Sequence, residues 1–301
     1  MEIRQLKTFL TITKLENFTQ AAETLGYAQS SVTAQIRLLE ESLGVKLFER
    51  LGRRIALTEE AERLIPYAEQ ILKLTSEARD VVSGTLVPRG TLTIGTVESL
   101  SVTRLPKVFE EYHNRYPDVE IVLNFGVCSE NLRLLRTNAL DVTFIIDRRL
   151  NSQEFIIEEL TPEPMAVLVS PGHRLASKKE IGPKDLHGES LILTEEECSY
   201  RIILENIMVE AGAQPKNKMG SNSIQAIKQF TMSGLGITLL PETAVKQEVE
   251  TGRLVQVPWS GPEFRLITQL VYHKDKWMSP TLKSFLELTR QMLNATRDHH
   301  F

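Results

Sequence analysis

Cys198 and Arg201 stand three residues apart in the stretch EEECSYR, residues 195–201, between a short apolar run, LILT, and a long helical pattern, RIILENIMVEAG. A thiol and a guanidinium at the first turn of a helix suit three chemistries. One is a nucleophile or redox centre, because a helix start and a nearby cation both favour the thiolate. Another is metal ligation. The third is the wall of an anion pocket, with the guanidinium as a fork for a carboxylate. Metal ligation needs partners at short spacing. The other cysteine, Cys128, is seventy positions away, and the six histidines (His113, His173, His187, His273, His299, His300) are scattered without an acid or thiol at ligand spacing. Neither a metal site nor a disulfide framework is expected. GxSxG, HExxH, GxxxxGK[ST] and CxxC are all missing, so catalytic residues and a cofactor are not expected.

The elements around this stretch alternate. TLTIGTV, the VEIVLNFG region, DVTFII, PMAVLVS, ESLILT and RLVQVPW have strand character, and helical patterns such as RLPKVFEEYHNR, SENLRLLR and SIQAIKQFTMSGLG separate them. That order predicts a parallel α/β sheet. Ligands in such sheets lie at the carboxyl ends of strands, against helix starts. The positions concerned are Glu98, Ser99, Leu100 and Ser101 after the first strand, Cys128 and Ser129 after the second, Cys198, Ser199, Tyr200 and Arg201 after ESLILT, and Asn222 and Ser223 at a later helix start. Four helix starts facing one cleft would hold an anion. Ser99 and Asn222 also suit plain helix caps, and Arg201 also suits a salt bridge to a neighbouring acid. Pro162–Pro164 and the chain near Thr268 mark crossings between two subdomains, and SPTLKSFLELTRQML would return to the first.

With 301 residues, 42% hydrophobic and 25% charged, the chain suits a soluble protein of two or three domains. MEIRQLKTFL lacks a signal-peptide core, and no apolar run approaches the roughly 18 residues of a membrane span; a reduced, cytoplasmic setting is the default. The net charge of −4 is uneven. Residues 1–58 carry eight Lys/Arg against six acids, net +2, and four of those cations fall within KLFERLGRR, residues 46–54. A positive head on an acidic body suggests a polyanionic partner for the head.

The head itself reads as three helices. Ile3, Leu6, Phe9 and Leu10 mark the first, over about 3–15. Ala21, Ala22 and Leu25 mark a second that opens at Asn17 or Phe18–Thr19 and stops at Gly26. Val32, Ile36, Leu39 and Leu43 mark a third from Gln29 to Leu43. Short helices joined by about three residues are a helix-turn-helix pattern. The outer face of the third, Gln29, Ser30, Ser31, Thr33, Ala34, Gln35 and Arg37, holds short donors and acceptors and almost no acid, which suits a DNA major groove. VKLFERLGRRIALT then reads as a two-stranded wing, with Arg50, Arg53 and Arg54 on phosphates or in the minor groove.

This skeleton of Phe9, Phe18, Ala21-Ala22, Leu25, Gln29, Ser31, Ile36, Leu39-Glu40, Leu43-Gly44, Leu47-Phe48, Arg50, Arg53 and Leu57-Thr58 closely resembles the winged helix-turn-helix of LysR-type transcriptional regulators. The LP at 105–106, LDV at 140–142 and GLGITLLP at 234–241 extend the resemblance over nearly the whole chain. Thr33 stands where the family usually has Ser, and Ala61 where Gly often follows the wing. The resemblance implies a winged helix-turn-helix, a linker helix and a periplasmic-binding-protein-like effector domain of two α/β subdomains. Expected boundaries are 1–58, 59–89 and 90–301, with subdomain I at about 90–161 and 269–301 and subdomain II at about 162–268. Thr19 joins Gln29–Arg37 and the wing arginines as expected DNA contacts. Ser99, Cys128, Arg201 and Asn222 are the effector contacts the family implies, with Leu100, Ser101, Cys198 and Tyr200 beside them. The implied partners are promoter DNA, a small anionic effector, a carboxylate above all, further copies in a homodimer or homotetramer, and RNA polymerase; no membrane is implied. A thiol-based redox regulator is the alternative within the family. Its peroxide-sensing members have a second cysteine a short way past the reactive one, where this chain has Ile207 and Met208. A standalone small-molecule binder is the alternative outside it.

In the linker, Leu64, Ala68, Ile71, Thr75, Ala78 and Val82 form a heptad seam. It suits dimerisation, or packing on its own domain. Pro66 is expected to kink or loosen its first turns, and Gly84, Pro88 and Gly90 to form a hinge.

Overall fold

A computed structural model describes residues 1–51, 54–83 and 87–294, with the backbone alone for Arg50, Leu51, Arg54, Glu77, Asp80, Val81, Ser83 and Asn294. The chain forms two compact units, Met1–Leu86 and Val87–Phe301.

The first unit contains α1 (Ile3–Leu15), α2 (Phe18–Leu25), α3 (Gln29–Leu43), a hairpin of β1 (Phe48–Leu51) and β2 (Arg54–Leu57), and α4 (Glu59–Ser83). Asn17 starts α2: its side-chain oxygen accepts the N–H groups of Thr19 and Gln20 at 2.9 and 3.1 Å, meeting donors that a helix start leaves unpaired. Gly26 ends it at φ 68°, a left-handed conformation that a Cβ disfavours. The core joins Leu6, Phe9, Ile12, Ala21, Ala22, Val32, Ile36, Leu39 and Leu47 to Ala61 and Ala68 of α4. The Phe48 ring lies 5.7 Å from Phe9 and 5.5 Å from Phe18, so the wing strand is pinned to the helices by aromatic contacts. Buried Glu40 accepts the Leu47 N–H at 3.0 Å and the Lys46 ammonium at 2.6 Å, which fixes how the chain enters β1.

Ile3 and Leu43, expected in the buried stripes, are 47% and 37% exposed. Each is an end residue of its helix, so core packs against it from one side only. The seam of α4 divides. Ala68 is buried, and Leu64 and Ile71 pack on this core with Ile65 and Leu72, whereas Val82 is 87% exposed. The helix runs through Pro66 without ending.

The second unit has two sheets. The larger has the order β4-β3-β5-β12-β6, from β3 (Gly90–Thr96), β4 (Val119–Phe125), β5 (Val142–Asp147), β6 (Phe155–Pro162) and β12 (Ile267–His273), with α5 (Glu98–Thr103), α6 (Leu105–Arg115), α7 (Cys128–Arg136) and α11 (Pro280–Asn294). The other lobe contains β7 (Met165–Val169), β8 (Ser190–Leu193), α8 (Ser199–Glu210), β9 (Asn217–Gly220), α9 (Ile224–Met232), β10 (Thr238–Pro241), α10 (Glu242–Glu250) and β11 (Val255–Val257). Here β7 lies between β10 and β11, and β8 pairs with β9. The Ile192 N–H to Ile237 and the Ile237 N–H to Ser190 join the two pairings, at 2.8 and 2.9 Å. A Cβ on Gly236 would lie 2.5 Å from the Ser190 carbonyl oxygen, so only glycine allows that approach.

The expectation of a parallel sheet holds only in part, and β7 is antiparallel to both β10 and β11. β3 is parallel to β4 and β5, but β12 is antiparallel to both β5 and β6. β12 follows the return crossing and runs back beside its neighbours. β6 was not legible as a strand because Glu158 and Glu159 interrupt its apolar alternation. Both acids are paired: Glu158 with Arg290 at 2.6 and 2.7 Å, and Glu159 with Arg149.

Between the lobes, Glu163 sits in the crossing from β6 to β7. Its N–H donates to Leu266, in the return crossing, at 2.9 Å. Its fully buried carboxylate accepts from Arg104 (3.0 Å), Thr243 (3.0 Å) and Thr268 (2.7 Å). One anion thus ties the larger sheet, the start of α6 and the start of α10. Removing one member of a buried pair leaves the other uncompensated. Glu163→Ala should therefore destabilise the chain by about 3 kcal/mol, read as a lower urea midpoint; an unchanged midpoint would show that the crossings do not depend on this charge.

Candidate nucleic-acid interface and ligand cavity

On the first unit, Gln29, Ser30, Ser31, Thr33, Ala34 and Arg37 are exposed on α3, and Thr19 is exposed at the start of α2. Ala28 precedes α3 and gives it no side-chain cap, so its first N–H groups can meet an outside acceptor such as phosphate. Arg37 keeps only a loose exposed pair with Glu41 at 3.4 Å. Gln35 differs from expectation. It is half-buried, and its side-chain oxygen accepts the Thr8 hydroxyl at 2.6 Å, so it braces α3 against α1. The wing hairpin pairs Arg50 with Ile55 and Leu51 with Arg54. This sets Arg50 and Arg54 on opposite strands near the tip; Arg53 lies outside the described residues.

On the second unit, a cavity of about 130 Å³ lies where α5, α7, α8 and α9 begin. Of the expected contacts, Ser99, Cys128, Cys198, Tyr200 and Asn222 line it, with Glu98, Glu195 and an apolar wall that includes Phe125, Ile146 and Ile224. Leu100 is instead core, at 1% exposure, and the Ser101 hydroxyl turns to the Glu98 carbonyl at 2.7 Å.

Arg201 does not line the cavity either. Helical side chains lean back toward the N-terminus, and its guanidinium reaches the Thr194 carbonyl at 2.6 Å and Glu205 at 3.2 Å, with Glu196 at 3.8 Å. It clamps the end of β8 to α8. Among the described residues, no Lys, Arg or His lines the cavity.

Two acids, Glu98 among the expected strand-end positions and Asp147 outside them, bond to the helix starts instead. Glu98 accepts the Ile224 N–H at the start of α9, at 2.5 Å. Asp147, at the end of β5, accepts the Ser199 hydroxyl at 2.7 Å. Ser129 of α7 donates to Glu197, before α8, at 2.5 Å. Each bond joins the larger-sheet lobe to the other lobe. The Ser99 hydroxyl, in a residue 2% exposed, has no partner among the described residues.

The expected lowering of the Cys198 pKa is reversed. Burial pushes this thiol up, against smaller opposing pulls from the Thr194 hydroxyl and the N–H groups of Arg201 and Tyr200. Burial likewise pushes Cys128 up to about 12, helped by the neighbouring Asp147 carboxylate and by Cys198. Both cysteines are free.

A model described as "Bacterial regulatory helix-turn-helix protein, lysR family" matches residues 3–62, and one described as "LysR substrate binding domain" matches residues 87–294. The chain is 41% identical to the uncharacterized HTH-type transcriptional regulator YwqM of Bacillus subtilis (strain 168), over 97% of this chain and 99% of the relative. It is 31% identical to the HTH-type transcriptional regulator GltR of the same organism, over 99% of each. Among solved structures, full-length CbnR complexed with its target DNA aligns with a TM-score of 0.69 at 22% identity, over 97% of this chain and 100% of that one. This last likeness concerns the fold.

The cavity thiols allow a direct check. A thiol near 12 holds roughly three orders of magnitude less thiolate at pH 8 than an ordinary cysteine. Iodoacetamide at pH 8 should therefore alkylate Cys128 at least about 100-fold more slowly than glutathione, and Asp147→Asn should speed Cys128 more than Cys198. Labelling of Cys128 at the glutathione rate, measured by mass spectrometry, would show that its thiol is not suppressed.

Proposed function

The chain belongs to the LysR family of bacterial helix-turn-helix regulators, and from that premise we propose that it controls transcription from promoter DNA, in the cytoplasm, in response to a small carboxylate bound in the cavity between its two lobes. The observation that carries the DNA reading is the exposed face of α3, with Gln29, Ser30, Ser31, Thr33 and Ala34 free of covering side chains and an uncapped helix start. Gln29 and Ser31 read base edges. Thr19, Arg37, Arg50, Arg53 and Arg54 contact phosphate or the minor groove.

Two such heads read an inverted repeat, one half-site each, in a homodimer joined through the outer part of α4, where Val82 is exposed; two dimers form a tetramer. Three features support a carboxylate ligand: helix starts of α7, α8 and α9 at the cavity, the unpartnered Ser99 hydroxyl, and a volume near 130 Å³, which suits a molecule of about six non-hydrogen atoms at most by comparison with the ~150 Å³ that accepts benzene. Ligand binding changes the angle between the lobes, and through α4 the spacing of the heads, the DNA bend and the access of RNA polymerase.

Fluorescence anisotropy on DNA from upstream of the protein's own gene tests this. Arg53→Ala should weaken specific and random DNA alike and reduce the salt slope by about 1. Gln29→Ala should cost about 1–3 kcal/mol on specific DNA only. Equal losses on both DNAs from both variants would refute this division of labour, and no binding at low salt would refute the DNA reading itself.

A further inference from the structure

The cavity contains helix starts but no lining cation among the described residues. An anion at such a site has backbone N–H groups to bind and nothing to neutralise a second negative charge beside it. One of those helix starts already has its anion: the Glu98 carboxylate on the Ile224 N–H. Glu98 is half-buried on the cavity wall, so part of its side chain already meets solvent. The neighbouring Ser99 hydroxyl is buried and unpartnered, on the same wall. A carboxylate is thus present where a ligand would sit, and a hydrogen-bonding group beside it is unused.

We infer that Glu98 is a resident stand-in for the carboxylate of the effector. A small monocarboxylate enters, takes the Ile224 N–H with one oxygen and the Ser99 hydroxyl with the other, and Glu98 leaves for solvent. One anion replaces another, so the cavity needs no cation. The exchange also breaks a hydrogen bond between α5 of the larger-sheet lobe and α9 of the other, and replaces it with a bond to a mobile molecule. Ligand entry is thereby linked to a change in how the lobes are held. This inference deepens, and rests on, the reading of the cavity as a carboxylate site.

Calorimetry on the full-length protein tests the exchange, with butyrate and pyruvate as probes, their amides as neutral controls and n-butylammonium as a cationic one. Glu98→Gln removes the charge, and Glu98→Asp keeps it but shortens its reach to Ile224. Both variants should bind at least one acid more tightly than the unaltered protein, Glu98→Gln by tenfold or more. The amides should not bind, and Ser99→Ala in the Glu98→Gln background should lose most of the gain. Acid affinity unchanged or weakened in both variants, or no acid binding in any of them, would overturn the inference. So would n-butylammonium binding that is lost on Glu98→Gln, because Glu98 would then be a ligand for a cation. Promoter DNA binding measured on the same samples separates the outcomes: failure of the exchange with DNA binding intact leaves the regulator reading standing, and loss of DNA binding by the unaltered protein counts against that reading alone.

Discussion

A helix start presents N–H groups that nothing inside the helix can accept. In the larger unit four helices begin around one cavity, and what meets their donors decides the rest of the site. Asp147 accepts the side-chain hydroxyl of Ser199, the first residue of α8, and its charge acts on Cys128. Glu98 reaches across to α9. The two carboxylates join the lobes, and Glu98 lies on the cavity wall with Glu195. Burial keeps both cysteines quiet, with the charge of Asp147 adding to it at Cys128, and the pull of a helix start on Cys198 is smaller than the cost of burying its thiolate.

Much of this was legible in the sequence, and the failures share a cause. The helices of the first unit appear where apolar spacing places them, because a period of 3.6 and a stop such as Gly26 are local signals. The grouping of Ser99, Cys128, Cys198 and Asn222 follows from strand ends and helix starts. The direction of a side chain inside its turn does not. Arg201 is in the expected element and faces away from the cavity, and Gln35 is in the expected helix and faces Thr8. Glu98 is in an expected position and Asp147 looks in sequence like an ordinary surface acid, but only the folded chain shows which helix starts they reach, 126 and 52 residues away. β6 stayed hidden because its paired acids break the alternation by which a strand is recognised.

The same constraint is met differently in the DNA-binding unit. α2 is capped internally by Asn17, and its first donors are satisfied. α3 follows Ala28, which gives no side-chain cap, and its exposed first turn is made of Gln29, Ser30 and Ser31. The helix that is packed has its cap built in, and the helix that faces outward leaves its donors for a partner. Glu40, Lys46 and Phe48 then hold the wing against this small core, so the presented face and the wing keep one geometry.

A ligand moves a two-state protein only by the difference in its affinity for the two states. A hydrogen bond to a charged group contributes about 1.5–3 kcal/mol net, less where solvent reaches it, as at Glu98. Allosteric couplings are typically 1–3 kcal/mol. Replacing the single Glu98–Ile224 bond is therefore of the right size to shift the lobes by roughly tenfold, and too small to pull them apart. The other cross-lobe bonds, Ser199 to Asp147 and Ser129 to Glu197, remain, and Glu163 holds both crossings at the hinge. The lobes can then turn about a fixed, buried charge while only the bond at the cavity is exchanged. A signal carried this way is graded and reversible, because nothing that supports the fold has to break for it to pass.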